Sequence, residues 1–443
     1  MNRHSRTLTA ACGLWLSLSG CRCGKPEQTV GAPAAGVAVA DKPALLATLS
    51  SEAEREFIFA ERGGGVAWIE PEGSAFRVIQ NGRPGKTYAA VGQVVLSLDG
   101  RRYAYAAQAD GTWRMVVDGV EGKGYPEVQR PVFSPDGAHL AYQARDGEAW
   151  RLIVDGASSE TSQRPFQGPE FSADARRVAF IADPDEQGLG RLVVSDLGFK
   201  APAVVDVKSS ELVINAERTR GAVASASGGA GQAEVVTFAF DQPAESRRGP
   251  KFEALSQLAF RPDGRSLAYL GERDGKSFMV LDGKEEPVPA GQYFGAPAIR
   301  PDGKAVGIFL LEGEAVRLYQ AFLPGGSGQV APGGGEGLAY SSGGVPAYAT
   351  SRGEKHFVVV DGKEGPAFDR VVSPRFSPDG RFVVYRARQD GKRFVVVADL
   401  SGKTIRQHPS YEQVFQPQFT ADGRSVAYGV KDGLRLRWVV EPL

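Results

Sequence analysis

Aspartate is the residue type that most invites a chemical role here, because it recurs at one place in a repeated motif. Phe133-Ser134-Pro135-Asp136-Gly137 returns as Phe376-Ser377-Pro378-Asp379-Gly380. A carboxylate could act as an acid, a base or a metal ligand, but Ser-Pro-Asp-Gly also fits a type I turn. A catalytic site is not normally written many times along one chain. We therefore interpret these aspartates as turn residues, and we expect the glycines Gly137 and Gly380 to need a backbone conformation that β-branched residues resist.

Other residues that could catalyse a reaction or bind a metal are isolated. The segment 183–188 is similar to the start of a calcium loop, but Val194 stands where that loop needs a glutamate. The histidines have no partner at ligand spacing; they are His4, His139, His356 and His408. Arg247-Arg248 is interpreted as solvated surface. The sequence therefore predicts no catalytic residue, no cofactor and no metal site, and favours a protein that is not an enzyme.

Charge and cysteine content narrow the class of protein further. The 443 residues contain 52 Lys+Arg and 52 Asp+Glu, so the chain lacks the excess positive charge of a nucleic-acid-binding protein. The three cysteines, Cys12, Cys21 and Cys23, all lie near the N-terminus. The rest of the chain therefore has no disulfide and no cysteine metal site.

The N-terminus has the pattern of a bacterial secretion signal. Arg3 and Arg6 precede a short apolar stretch, and Leu18-Ser19-Gly20-Cys21 follows it. This sequence resembles the lipobox of bacterial lipoproteins, which implies cleavage before Cys21 and lipidation of its thiol. We expect residues 1–20 to be a signal peptide and 21–43 to be the lipidated cysteine with a flexible tether. Arg22, rather than Asp, follows the cysteine, which by resemblance to enterobacterial lipoprotein sorting implies the outer membrane, with the protein facing the periplasm.

Internal repetition extends over almost all of the chain after residue 50. Seven strong and three weak copies of the motif recur every 37 to 46 residues, at Arg62, Asp99, Asp136, Asp174, Glu217, Asp263, Asp302, Ser342, Asp379 and Asp422. Two further turn signals follow in most copies, as in Asp146-Gly147 and Asp155-Gly156. Because Asp-Gly between apolar runs is a strong hairpin signal, three turns per copy predict four antiparallel strands. The runs are apolar almost throughout, which predicts sheets covered on both faces.

Four-stranded units repeated about every 40 residues are typical of a β-propeller. The unit, with its apolar run ending in Ala-Tyr, resembles the WD-type repeat of TolB-like propellers over roughly residues 51–443. The resemblance implies the fold and says little about the ligand. The predicted fold is all-β, a propeller of about ten four-stranded antiparallel blades in residues 44–443. A single ring is favoured, and two tandem five-bladed rings with a break near residue 250 are the alternative.

The tenth repeat lacks a fourth strand at its C-terminal end. Residues 44–49, Ala-Leu-Leu-Ala-Thr-Leu, are apolar and precede the first repeat. Because an unpaired apolar edge promotes aggregation, we predict that this segment pairs beside Arg435–Val440 as the outer strand of the last blade. A short helix, or a continuation of the tether, is the alternative.

Aromatic residues recur where one blade would connect to the next, at or near eleven residues before the turn aspartate. They are Tyr88, Tyr125, Phe166, Tyr293, Phe368 and Tyr411. Such a ring of side chains could grip a peptide or glycan, or could serve repeated packing between blades. The leading functional hypothesis is a membrane-anchored periplasmic scaffold that holds envelope proteins. The alternatives are a polysaccharide- or peptidoglycan-binding propeller, and a lyase or hydrolase working in the propeller channel.

Overall fold

The computed structural model describes residues 37–443, except residues 53–54, 227–231, 262, 314, 324–328 and 332. All regular elements in this described part are β-strands. They form ten antiparallel sheets, one for each repeat; nine follow the order of their strands in the chain, and the tenth also includes a strand from before the first repeat. The predicted all-β propeller of ten four-stranded blades is therefore confirmed.

The first five blades run from residue 58 to residue 252. Their strands are β2 (Ile58–Phe59), β3 (Val66–Glu72), β4 (Ala75–Gln80) and β5 (Arg83–Tyr88); β6 (Ala90–Leu96), β7 (Tyr103–Ala109), β8 (Thr112–Val117) and β9 (Val120–Tyr125); β10 (Glu127–Phe133), β11 (Leu140–Asp146), β12 (Ala149–Val154) and β13 (Ala157–Ser158); β14 (Gln167–Phe171), β15 (Arg177–Ala182), β16 (Gly190–Asp196) and β17 (Ala203–Ser209); and β18 (Val213–Ile214), β19 (Arg220–Ala226), β20 (Ala233–Ala239) and β21 (Arg247–Phe252).

The second five blades continue from residue 254 without a linker. Their strands are β22 (Ala254–Phe260), β23 (Leu267–Arg273), β24 (Lys276–Leu281) and β25 (Lys284–Val288); β26 (Gln292–Ile299), β27 (Val306–Glu312), β28 (Ala315–Ala321) and β29 (Gln329–Ala331); β30 (Glu336–Tyr340), β31 (Pro346–Arg352), β32 (Lys355–Val360) and β33 (Lys363–Glu364); β34 (Arg370–Phe376), β35 (Phe382–Gln389), β36 (Lys392–Asp399) and β37 (Thr404–Gln407); and β38 (Gln413–Val414), β39 (Gln418–Phe419), β40 (Ser425–Asp432) and β41 (Arg435–Pro442).

The tenth blade is completed from the other end of the described chain. Strand β1 (Ala44–Thr48) pairs antiparallel with β41, with Ala44 opposite Trp438 and Thr48 opposite Arg435. The indole Nε1 of Trp438 also donates a hydrogen bond to the Ala40 carbonyl, at 3.0 Å. The predicted closing strand is therefore confirmed, and the helix and free-tether alternatives are wrong.

Side chains at the closure show that the ten blades make one ring. A buried cluster joins Phe57 and Trp68 of blade 1 to Leu436 of blade 10, with Ala47 and Leu49 from the closing segment. Blades 5 and 6 also share a buried cluster, which spans the place where two tandem rings would separate. The alternative of two five-bladed rings is therefore wrong.

The core lies in the seams between neighbouring blades. In β36, for example, five consecutive residues from Phe394 to Ala398 are buried. Such a run must be covered on both faces, as the continuous apolar pattern predicts. The first strands of several neighbouring blades also contact one another, as β30 and β34 do, which places these strands on the inside of the ring.

Candidate functional site

The repeated aspartates lie in the turns between the first and second strands, at the end of the blades that we call the turn face. Ser134 Oγ donates a hydrogen bond to Asp136 Oδ1 at 2.5 Å, and Ala138 N donates to the same oxygen at 3.0 Å. In another copy, hydrogen bonds from the Ser377 hydroxyl and the backbone and side chain of Arg381 lower the pKa of Asp379 to about 2. These are the contacts of turn residues, as expected.

The glycine of each turn lies against the preceding blade. Gly137 and Gly380 both have φ of 72°, which is the left-handed conformation expected from the sequence. A Cβ atom on Gly137 would lie 3.1 Å from Ser97 Cβ of blade 2. A Cβ atom on Gly380 would clash with Ser342 Oγ of blade 8 and lie 3.2 Å from Ser342 N. The turns therefore pack on one another around the ring, which the sequence reasoning missed.

The six aromatic residues proposed for ligand binding lie at the opposite end of the blades. This end, which we call the connection face, carries the blade-to-blade connections and the turns between second and third strands. Five of the six rings are at most 8% exposed, namely Tyr88, Tyr125, Phe166, Phe368 and Tyr411. They pack in the seams and present no ring face to a ligand, so their contacts are those of the packing alternative. Tyr293 is half-buried and differs from the rest.

Three of the buried aromatic residues, Tyr88, Tyr125 and Phe368, are matched by a small residue of the next blade. Tyr125 shares a cluster with Ala144, and Phe368 shares one with Ala387. In each pair the small residue comes nineteen residues after the aromatic one. Phe252, which the sequence reasoning missed, occupies the same position at the end of blade 5, and its ring lies 2.5 Å from where Gly271 of blade 6 would place a Cβ atom. Large and small side chains thus alternate across the seam.

The seam between blades 6 and 7 is one of the seams that lack this pair. Gly291 stands at the aromatic position, and Leu310 stands at the position of the small partner. Leu310 is only 3% exposed, and a Cβ atom on Gly291 would lie 2.5 Å from Leu310 Cδ1. The Leu310 side chain thus occupies part of the space that an aromatic side chain fills in other seams, but it does not fill the seam. A cleft of about 370 Å³ remains, and Gly291 lines it.

The lining of this cleft, which we call the blade 6–7 cleft, combines an apolar floor with polar walls. Leu270 is buried, Tyr293 offers a half-buried ring, and Glu272 is exposed. The remaining lining residues are Ser256, Ser277, Gly291 and Gln292. Within the described part of the chain, no side-chain hydrogen bond or ion pair engages the Glu272 carboxylate. The Tyr293 hydroxyl donates to the Pro289 carbonyl at 2.6 Å, so the ring rather than its donor is available.

A smaller cleft of about 40 Å³ lies on the other side of β22. It shares Ser256 with the blade 6–7 cleft and is lined in addition by Glu211, Val213, Ala224, Leu255, Gln257 and Leu258. Gln257 has φ of 58° and lies in a β-bulge between Ser256 and Ala259. The two clefts together are lined by two carboxylates and by no lysine or arginine. This part of the connection face therefore has a negative, partly apolar lining.

The carboxylates of the calcium-like segment are engaged in other contacts. Among the described residues no group of three or more His, Cys, Asp or Glu side chains could hold a metal ion. In the calcium-like segment, Asp185 Oδ1 accepts hydrogen bonds from Gln187 N and Leu189 N, and Asp183 pairs with Arg191 at 2.8 Å. In the described ranges, no helix is long and apolar enough to cross a membrane. Cys21 and residues 1–36 lie outside the described part.

His408 is buried beside the ring closure and gives a pH prediction. Burial lowers its pKa to about 4, and the Arg406 charge acts in the same direction; Glu441, at 3.7 Å from Nδ1, is beyond hydrogen-bond distance. Because the folded pKa lies below the unfolded value of about 6.5, the neutral imidazole favours folding above pH 6.5, and this contribution is lost as pH falls towards 4. We expect His408→Gln to flatten that part of the curve of unfolding free energy against pH, measured by urea titration. Equal slopes for the variant and the parent would contradict this assignment.

Comparison with known proteins finds only distant similarities. No protein family matches the chain, and no curated protein matches it. Solved structures that are similar include a eukaryotic initiation factor (14% identity, 79% of this chain and 96% of that chain, TM-score 0.45). They also include TolB from Acinetobacter baumannii (14% identity, 80% of this chain and 81% of that chain, TM-score 0.28). A third is an oligogalacturonate lyase in complex with manganese (14% identity, 79% of this chain and 98% of that chain, TM-score 0.35). At these identities and TM-scores they carry no argument about function, and the propeller assignment rests on the chain's own ten blades.

Proposed function

We propose that this chain is a lipid-anchored propeller of the bacterial cell envelope that holds partner proteins and does not transform a substrate. The observation that supports a binding role most directly is the blade 6–7 cleft. It lies on the connection face, at a seam that lacks the aromatic–small pair found in four other seams. A cleft with an apolar floor and a few polar groups on its walls is typical of a ligand site.

The turn carboxylates support a role other than catalysis. They accept hydrogen bonds within their own turns, from Ser134 to Asp136 and from Ser377 to Asp379, for example. A general acid or base must instead reach a proton on the substrate. The repeated aspartates thus stabilise the turns of the blades. The blade 6–7 cleft is the part of the surface to which we assign partner binding.

The test of the proposed function is co-isolation from detergent-solubilised envelopes that carry the tagged full-length chain. We expect one or a few envelope proteins to be retained in stoichiometric amounts. Retention of glycan fragments without protein would favour the polysaccharide-binding alternative. Turnover of an envelope polysaccharide or peptide by the purified chain would contradict the non-catalytic proposal.

The proposed lipid anchor predicts that membrane association depends on Cys21. We expect Cys21→Ser to move the protein from the membrane pellet to the soluble periplasmic fraction, because the serine hydroxyl is not a substrate for thiol lipidation. The ring should keep its unfolding midpoint, since residues 1–36 precede the first described strand. Cys23→Ser is the matched control and should leave the protein in the pellet. A Cys21→Ser protein still found in the pellet would contradict lipid anchoring.

A further inference from the structure

The unpaired carboxylate of the blade 6–7 cleft carries information about the ligand. Glu272 lies near the end of β23, directly opposite Ser277 of β24, and both line the cleft. The cation that follows in sequence, Arg273, is engaged elsewhere: it pairs with Glu285 and lies over the rings of Phe252 and Phe278. The Glu272 carboxylate therefore lines the cleft and is not paired with the adjacent Arg273.

The other walls suit the stem of a long basic side chain. Leu270 provides a buried apolar floor, and the half-buried Tyr293 ring provides a surface over which a cation can lie. Lysine and arginine pack an aliphatic stem on apolar surface while the charged head reaches a polar partner. The volume, about 370 Å³, is at the lower end of the range for ligand sites, about 300–1,000 Å³, and suits one side chain better than a long polymer.

We propose that the blade 6–7 cleft binds a basic side chain of a partner protein, with Glu272 as its counter-ion and Tyr293 and Leu270 against its stem. This inference rests on the proposed function and names the chemistry of the segment that is held. The smaller cleft beyond Ser256 adds a second carboxylate, Glu211, to the same region. A segment with more than one basic residue therefore matches the surface better than a neutral or acidic segment.

Two kinds of variant test the site without touching the turns of the fold. Glu272→Gln removes the charge at constant shape, and Glu354→Gln is its control, because Glu354 is an exposed glutamate on the equivalent turn region of blade 8. The double variant Gly291→Phe, Leu310→Ala restores the large–small pairing that Phe368 and Ala387 make in another seam. It should fold, because the chain already uses that pairing, and it should fill the cleft.

The measurement is binding of fluorescent tetralysine to the full-length chain in detergent, with tetraglutamate and chitotetraose as comparison probes. We expect tetralysine to bind, Glu272→Gln to weaken it about three- to tenfold, and Glu354→Gln to leave it unchanged. The seam-filling double variant should lose binding while keeping its unfolding midpoint. Binding should weaken with added salt, since the charges are open to solvent.

The outcomes separate this inference from the proposed function. Unchanged tetralysine binding in Glu272→Gln, or no binding at all, would overturn the basic-ligand assignment. Binding of chitotetraose in place of tetralysine would overturn it in favour of a glycan. If envelope proteins are co-isolated equally with the parent and the seam-filling variant, the site inference fails and the proposed function stands. If the parent retains no protein, the proposed function itself fails.

Discussion

Removing residues 44–50 is expected to destabilise the whole ring, by about 3–6 kcal/mol in the free energy of unfolding. The deletion leaves β41 without its outer partner and uncovers Leu436 and Trp438, which are 0% and 2% exposed. It also removes the buried side chains of Ala47 and Leu49 from the seam between blades 10 and 1. Because this strand joins the two ends of the ring, the loss should lower the unfolding midpoint of all blades together. Urea titration followed by tryptophan fluorescence measures it.

Two single substitutions provide a matched control for that deletion. Leu49 is 4% exposed and Leu45 is 60% exposed, so both leucines lie in the closing segment but only one is buried. Leu49→Ala should cost about 2–5 kcal/mol, and Leu45→Ala should stay within about 0.5 kcal/mol of the parent. Equal effects of the two substitutions, or an unchanged midpoint after the deletion, would contradict closure by this strand.

The second large effect is expected at the turn glycines. Gly380→Val should destabilise the ring by about 1–3 kcal/mol or more, because valine resists a φ of 72° and its Cβ atom would clash with Ser342 of the preceding blade. Thermal unfolding of the purified chain measures this loss. Binding of partners should fall only as far as the folded fraction falls, since the turn face lies opposite the blade 6–7 cleft.

A second glycine separates the backbone effect from the clash. Gly391 has φ of 76°, close to that of Gly380, but a Cβ atom there would meet nothing within 4 Å. Alanine at either position carries a similar conformational cost, and only Gly380→Ala adds the contact with Ser342. We therefore expect Gly380→Ala to be less stable than Gly391→Ala by about 1–3 kcal/mol. If the two alanine variants were equally stable, the proposed packing of turns between blades would be wrong.

The fold could be predicted from the sequence because its signals are local and repeated. Ser-Pro-Asp-Gly and Asp-Gly specify turns within a few residues, and ten copies remove the ambiguity that a single copy would have. Closure by residues 44–49 could also be predicted, because a missing outer strand and an unassigned apolar segment are both visible in the sequence. Their pairing follows from the cost of leaving β41 as an open edge.

The candidate site was harder to predict because it depends on two positions nineteen residues apart, Gly291 and Leu310. Their meaning appears only when the equivalent positions of other blades are compared with them. The aromatic residues were noticed, but three of them pack against small residues nineteen positions later, such as Ala144 after Tyr125. Without that pairing, Gly291 and Leu310 look like ordinary residues and the blade 6–7 cleft has no signal. Had both positions been read together, Phe252 with Gly271 would have joined the pattern, and Gly291 with Leu310 would have been one of the pairs outside it.

The central claim is that this propeller holds a partner protein at the blade 6–7 cleft, and site-specific photocrosslinking in intact envelopes tests it most directly. A photoreactive phenylalanine analogue would replace Gln292, which lines the cleft, or Glu354, which lies on blade 8. We predict a discrete crosslinked protein band from position 292 that is absent from position 354 and is lost when the double variant Gly291→Phe, Leu310→Ala fills the cleft. No protein crosslink from position 292, or the same band from both positions, would contradict the account.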